Sequence, residues 1–173
     1  ISGSSAGSIV ASIIGTHTDS ELEGFYDGDG LYLHAWTWKR IRDGMLGQGF
    51  ADQRQLEKFL RNNIGEYTFE EGFARTGRHI NVTVSPVHAH HNKARLMNEL
   101  TSPYLLMWSA ALASCAVPIL FPPVTLTTKT EQGDYQPYMP LKQWVDGSVR
   151  TDLPRQRLAR LFNVNFFIAS QVN

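Results

Sequence analysis

Gly3-Ser4-Ser5-Ala6-Gly7 lies near the start of the chain and leads into apolar residues at helical spacing, Ile9, Val10, Ile13 and Ile14. A serine between two glycines fits a sharp turn from strand to helix, because strained backbone and closely packed strands favour residues without a side chain. Such a turn places the Ser5 hydroxyl at the helix N-terminus, whose partial positive charge favours a developing oxyanion. We therefore predict a nucleophile at Ser5 and the end of the following helix at Gly15. A helix start rich in small residues is the alternative interpretation.

The composition indicates one globular domain. Hydrophobic residues make up 42% of the 173 residues and charged residues 18%, which allows a sizeable core. Sixteen basic residues balance sixteen acidic ones and no long basic run is present, so we expect no nucleic-acid partner. The single cysteine, Cys115, cannot form an internal disulfide, so stability depends on packing.

Residues 104–124 contain no charged side chain and are about long enough to span a bilayer. However, Pro118, Pro122 and Pro123 interrupt them, and proline breaks the backbone pairing that hydrocarbon requires. We therefore predict a buried helix followed by a short buried strand in this stretch.

Capping and turn residues predict an alternation of helices and strands over the rest of the chain. Capping boxes at 18–21 and 68–71 each predict a helix start, and an alternating apolar pattern at 80–84 predicts a strand that Pro86 ends. Apolar strands between helices favour a layered α/β domain with a largely parallel sheet. The remaining predictions are an amphipathic helix at 31–45, helices at 52–63 and 158–162, a strand at 144–145, a loop at 132–140 and a last strand at 165–172.

A serine nucleophile needs a base, and the histidines do not offer a convincing one. None follows Asp146, as the order of serine, acid and histidine in α/β-hydrolases requires. His88, His90 and His91 lie in a polar stretch without the Cys, Asp or Glu that would complete a metal site, so we expect no metal. Asp146 is the alternative base, because a carboxylate between a short apolar strand and Gly147 can point into a partly dry site that raises its basicity. An ordinary Asp-Gly turn is the other interpretation.

The glycine-flanked serine of residues 3–7 together with Asp146-Gly147 resembles the Ser–Asp dyad of the patatin-like phospholipases. The runs Ser114-Cys115-Ala116-Val117-Pro118 and Phe121-Pro122-Pro123-Val124 are similar to the patatin segment before the catalytic aspartate. Further stretches resemble the branch that includes lipid-droplet triacylglycerol lipases and bacterial phospholipases, so the resemblance covers nearly the whole chain. These stretches are Thr68-Phe69-Glu70-Glu71, Asn81-Val82-Thr83-Val84, Asp146-Gly147-Ser148 and Asp152-Leu153-Pro154.

The resemblance implies a three-layer α/β sandwich with flanking helices, and a hydrolase that cleaves carboxylic esters of glycerolipids, either phospholipid or triacylglycerol. Asp146 would take the proton of Ser5, the serine would form an acyl-enzyme, and water would release it without a metal or another cofactor. Patatins carry a glycine-rich oxyanion loop before the serine turn, and residues 1–173 begin too late to contain it. We therefore expect a partial catalytic domain, truncated at both ends and inactive by itself, within an active parent.

Besides its substrate, the implied partner is a membrane or lipid-droplet surface. Tyr32, Trp36 and Trp38, interleaved with basic residues, could lie on that surface, although a helix packed against the core is the alternative. The expected location is the cytoplasmic face of a membrane or lipid droplet, with a secreted parent as the other possibility. A catalytically silent lipid-binding module and a hydrolase with an ordinary Ser-His-acid triad remain as alternative functions.

Overall fold

A computed structural model of the chain describes residues 1–26, 53–87, 94–118, 121–147 and 153–170. The amphipathic helix predicted at 31–45 and the histidines at 88, 90 and 91 lie outside the described residues. The helices predicted at 52–63 and 158–162 are confirmed, with slightly different ends. Six helices occur in the described part: α1 (Ala6–Thr16), α2 (Asp19–Tyr26), α3 (Gln53–Ile64), α4 (Phe69–Thr76), α5 (Met107–Ser114) and α6 (Arg155–Phe162).

The two predicted capping boxes both start a helix. Before α4, the Glu71 amide donates to the Thr68 hydroxyl, and the Thr68 amide donates to the Glu71 carboxylate. Before α2, the Thr18 amide donates to the Glu21 carboxylate at 2.7 Å. These bonds satisfy amides that the first turn of a helix leaves without partners, so the local sequence determines where both helices begin.

The predicted helix end at Gly15 is wrong, because α1 continues to Thr16 and is capped by His17. A β-carbon on Gly15 would lie 2.3 Å from the Ile80 side chain, so this glycine allows α1 to pack closely against its neighbour. The requirement for glycine here comes from tertiary packing and not from a turn.

The main sheet is built around β2 (Asn81–Pro86), which is buried along its whole length. β1 (Ser2–Gly3) pairs with it in parallel, whereas β3 (Arg95–Met97) and β6 (Trp144–Asp146) pair with it antiparallel. The prediction of a largely parallel sheet is therefore wrong for the described strands. β3 follows β2 after a short connection, and a parallel return would need a crossover of roughly a dozen residues or more.

Three smaller predictions are also wrong. The expected loop at 132–140 contains a strand, β5 (Tyr135–Pro137), which forms a hairpin with β4 (Thr127–Lys129). In the described part of the stretch after the buried helix, the expected strand is reduced to an isolated bridge between Val124 and Trp144. Residues 165–170, expected to begin the last strand, pair with no strand of the described chain, and Phe166 and Ile168 are 80% and 91% exposed. An apolar run forms a strand only where backbone partners are available.

The core lies where α1, α3 and α5 meet β2. All eight residues of α5 are buried, which confirms the buried helix predicted within 104–124. None of the described helices is long and apolar enough to cross a bilayer. The helices and the mixed sheet together form an α/β domain whose largest fully buried side chains are Trp144, Phe69, Leu60, Ile64, Met97, Leu105, Leu106, Met107 and Leu126.

Candidate active site

Ser5 lies between β1 and α1, immediately before the first residue of the helix. Its φ of 50° and ψ of −128° are in a region that residues with a side chain avoid, at a cost of about 1–3 kcal/mol. The Gly7 and Ser8 amides donate to the carbonyl oxygens of Ser4 and Ser5 at 3.0 and 2.9 Å, so the chain turns into the helix at this point. The strand–turn–helix context that a serine nucleophile requires is therefore present around Ser5.

The residues that flank Ser5 have different steric surroundings. A β-carbon on Gly3 would lie 2.1 Å from the Gly7 carbonyl oxygen, so close packing of β1 against α1 requires glycine at position 3. At Gly7 a β-carbon would meet no atom within 4 Å, so the described fold does not need glycine there. Ala6 is exposed and is the first residue of α1, which puts its amide at the positive end of the helix.

Asp146 is the last residue of β6 and is only 2% exposed. Its backbone amide donates to the Ala116 carbonyl oxygen at 3.0 Å, and Gly147, which follows it, is also buried. The short strand predicted at 144–145 is thus confirmed.

The serine turn and Asp146 lie along the same side of β2. Val82 and Val84 both have β3 on one side, and on the other side they pair with Gly3 and Asp146 respectively. β1 and β6 therefore approach each other end to end along one strand. Because each residue of a strand advances about 3.3 Å, Gly3 and Asp146 are about 7 Å apart along β2.

The last residue of α5 and the two residues that follow it bind both candidate residues. The Ser114 hydroxyl accepts a hydrogen bond from the Ser5 amide at 3.0 Å, and the Ala116 carbonyl accepts one from the Asp146 amide at 3.0 Å. This three-residue segment, 114–116, thus bridges the serine turn and the end of β6. The sequence alone predicts no role for Ser114, although a polar residue in a fully buried helix indicates that a hydrogen-bond partner is needed.

Cys115 lies in the same segment, close to Ser8 and Asp146. Burial raises the pKa of its thiol to about 12, the negative charge of Asp146 acts in the same direction, and a hydrogen bond with Ser8 opposes both. A nucleophilic cysteine needs a lowered pKa in a positively charged environment. Cys115 is therefore kept protonated, and Ser5 is the better candidate nucleophile.

Two of the six histidines are described, and neither lies beside Ser5. His17 follows the opposite end of α1, about 18 Å from Ser5 along the helix axis. His79 precedes β2, where its Nδ1 lies 2.5 Å from a Glu99 carboxylate oxygen and its ring stacks on Phe73. Neither histidine is therefore a base for Ser5. Among the described residues, no three His, Cys, Asp or Glu side chains form a group that could hold a metal ion.

Comparison with known proteins gives a consistent set of relatives. A family model described as patatin-like phospholipase matches residues 1–159. The whole chain is 41% identical to a patatin-like phospholipase domain-containing protein of Aspergillus clavatus and covers 25% of that protein. It is also 37% identical over its full length to the triacylglycerol lipase SDP1L of Arabidopsis thaliana, of which it covers 24%. The chain thus spans about a quarter of the length of the curated relatives it matches.

Proposed function

Because the chain belongs to the patatin-like phospholipase family, we propose that it carries the nucleophile, Ser5, and the base, Asp146, of a serine lipid acyl hydrolase. The observation that carries the proposal is the strained Ser5 backbone at the N-terminus of α1. The substrates are carboxylic esters of glycerolipids, either phospholipids or triacylglycerols. The proposed fold is a three-layer sandwich of helices around a central sheet.

In the proposed reaction, the Ser5 hydroxyl oxygen attacks the carbonyl carbon of the ester and its proton passes to the Asp146 carboxylate. The Ala6 amide, at the positive end of α1, donates to the developing oxyanion. Collapse of the tetrahedral intermediate releases the alcohol, which takes the proton from Asp146, and leaves the acyl group on Ser5. Asp146 then takes a proton from the water that attacks the acyl-enzyme and gives it to the Ser5 oxygen as the fatty acid departs, which restores the serine hydroxyl and the carboxylate.

Burial and sheet pairing both support the assignment of Asp146 as the base. The Asp146 side chain is almost entirely buried, so it is held away from bulk water beside β2. Gly3 and Asp146 each pair with β2 on the same side of that strand, two residues apart, which supports a short path between the base and the nucleophile. Groups held by a sheet keep their geometry better than groups on mobile loops, which favours catalysis.

We further propose that the protein works at a membrane or lipid-droplet surface, because long-chain glycerolipids are held there. Tyr32, Trp36 and Trp38, among basic residues, are the sequence candidates for this contact. They lie outside the described residues, so the proposal rests on the chemistry of the substrate and on this aromatic and basic pattern.

The test compares Ser5→Ala and Asp146→Asn with the unmodified full-length protein. Each is assayed on a fluorogenic long-chain acyl ester, phospholipid vesicles and a triacylglycerol emulsion. Both variants are expected to lose activity by about a thousandfold or more, since each removes a group that acts in bond making. Asp134→Asn is the matched control, because Asp134 lies in the exposed turn of the β4–β5 hairpin and its replacement is expected to leave activity unchanged.

Two results would contradict the proposal. If folded Asp146→Asn retained activity near that of the unmodified protein, another group would be the base. If the unmodified full-length protein hydrolysed none of the lipids, the silent lipid-binding module would replace the hydrolase. The released products distinguish a phospholipase from a triacylglycerol lipase.

A further inference from the structure

We propose that Ser114 is a positioning residue for the candidate nucleophile, a role that rests on the proposed function. Ser114 is the last residue of α5 and is fully buried. Its hydroxyl accepts a hydrogen bond from the Ser5 amide at 3.0 Å and donates one to the Thr83 carbonyl oxygen at 2.9 Å. A single hydroxyl therefore joins the serine turn to the central strand of the sheet.

The position of Thr83 makes this link specific to the candidate site. Thr83 stands in β2 between the residue that pairs with Gly3 and the residue that pairs with Asp146. The Ser114 hydroxyl thus reaches β2 at the point where β1 has left the sheet and β6 ends. Any movement of this hydroxyl would move the Ser5 backbone relative to the strand that aligns Asp146.

The strained backbone of Ser5 explains why such a link is needed. A residue in this region of φ and ψ persists only where its surroundings fix it. The hydroxyl supplies an acceptor for the Ser5 amide in the strained conformation, and a buried amide without an acceptor is costly. A nucleophile displaced by about 1 Å loses on the order of 100-fold in rate. Loss of the Ser114 hydroxyl is therefore expected to lower turnover more than substrate binding.

Ser109 provides a matched control on the same helix. It is also fully buried, and its hydroxyl also accepts a hydrogen bond from a backbone amide, that of Thr127 at 2.9 Å. Thr127 belongs to β4, in the second sheet, which has no strand pairing with β2. Ser109→Ala and Ser114→Ala thus each remove a bond between a backbone amide and a hydroxyl of the same helix. Only Ser114→Ala removes that bond from the serine turn, together with the bond to Thr83.

The experiment uses the full-length protein with Ser114→Ala, Ser109→Ala and Ser114→Thr. It measures kcat and KM on a fluorogenic acyl ester and the rate at which a fluorophosphonate labels Ser5, each per folded molecule. Both alanine variants are expected to melt at a lower temperature. Only Ser114→Ala is expected to lower kcat and the labelling rate, by about 10- to 100-fold, with KM nearly unchanged. Threonine keeps a hydroxyl at the same position, so Ser114→Thr is expected to restore most of the labelling rate.

Two outcomes overturn the inference alone. In the first, Ser114→Ala and Ser109→Ala have the same kcat and labelling rate per folded molecule. In the second, folded Ser114→Thr is labelled as slowly as Ser114→Ala, which would assign the effect to packing and not to the hydroxyl. An unmodified protein that neither hydrolyses esters nor is labelled at Ser5 would overturn the proposed function and the inference together. If Ser114→Ala does not fold, the labelling rates of Ser114→Thr and Ser109→Ala are compared. Equal rates support the inference, and a much lower rate for folded Ser114→Thr overturns it.

Discussion

Gly147 packs against the backbone of Thr83 so closely that a β-carbon on Gly147 would lie 2.5 Å from the Thr83 carbonyl carbon and oxygen. Gly3 is similarly close to the Gly7 carbonyl, whereas Gly7 itself has open space where a β-carbon would be. Two of the glycines that close packing requires thus lie beside the candidate site: Gly3 is the last residue of β1, two residues before Ser5, and Gly147 directly follows Asp146 at the end of β6.

Gly3→Ala and Gly147→Ala are therefore expected to lower the free energy of unfolding by about 1–3 kcal/mol each, as overpacked core positions do. Gly7→Ala is expected to keep or raise it, by up to about 1 kcal/mol, because alanine is the better helix former. Urea unfolding of the three variants measures the difference. Gly3→Ala or Gly147→Ala with the stability of the unmodified protein would contradict the close packing.

Local sequence could predict the helix starts and the strand–turn–helix around Ser5, because capping and turns depend on neighbouring residues. It could not predict the pairing partners of the strands, which depend on distant segments. The β4–β5 hairpin could not be predicted, because Thr127–Lys129 and Tyr135–Pro137 carry polar residues without an alternating apolar pattern. Residues 165–170 were predicted as a strand from their apolar side chains alone.

The candidate site likewise has features that the local sequence predicts and features that depend on distant segments. Ser5 and Asp146 could be selected as candidates from the motifs and from the family resemblance. The contacts of segment 114–116 could not, since a hydrogen bond between Ser5 and Ser114 joins residues that are 109 positions apart. The five-residue motif also does not specify that position 3 requires glycine while position 7 does not, because this difference depends on how β1 packs against α1.

Cys115 is expected to resist thiol reagents in the folded protein. Burial raises the pKa of its thiol from 9.0 to about 12, so between these pH values the folded state holds a proton that the unfolded state has released. The thiol's contribution to the free energy of unfolding is fully present below about pH 9. Between pH 9 and 12 it falls by about 1.4 kcal/mol for each pH unit. Iodoacetamide at pH 9 should modify Cys115 much faster in guanidinium than in buffer. Equal rates in both would show that the thiol is not buried.

Ser12→Ala is expected to stabilise the protein. Ser12 is fully buried within α1, and its hydroxyl has no hydrogen-bond partner among the described residues. Replacing it removes an unsatisfied polar group and introduces a better helix former, which should raise the free energy of unfolding by about 0.5–1 kcal/mol. Thermal unfolding measures this change, with Ser109→Ala, which loses a hydrogen bond, expected to change in the opposite direction. A lower melting temperature for Ser12→Ala would mean that the hydroxyl has a partner.

Thr68→Ala is expected to lower the free energy of unfolding by about 1 kcal/mol, because it removes the capping box of α4. Thr68→Ser keeps the oxygen that accepts from the Glu71 amide and is expected to lose less. Urea titration followed by circular dichroism compares the two. Equal losses would assign the effect to the buried methyl group of Thr68 and not to the cap.

The bridge formed by segment 114–116 also bears on when the candidate site exists during folding. The contact between Ser5 and Ser114 closes a loop of 109 residues, which is among the slower and more entropically costly events in a small domain. The site is thus completed only after α5 has docked, and it disappears if the end of α5 opens locally. On gradual heating, the proposed hydrolysis would then fail before helical circular dichroism declines, because a local fluctuation would remove the candidate site and leave most of the architecture intact.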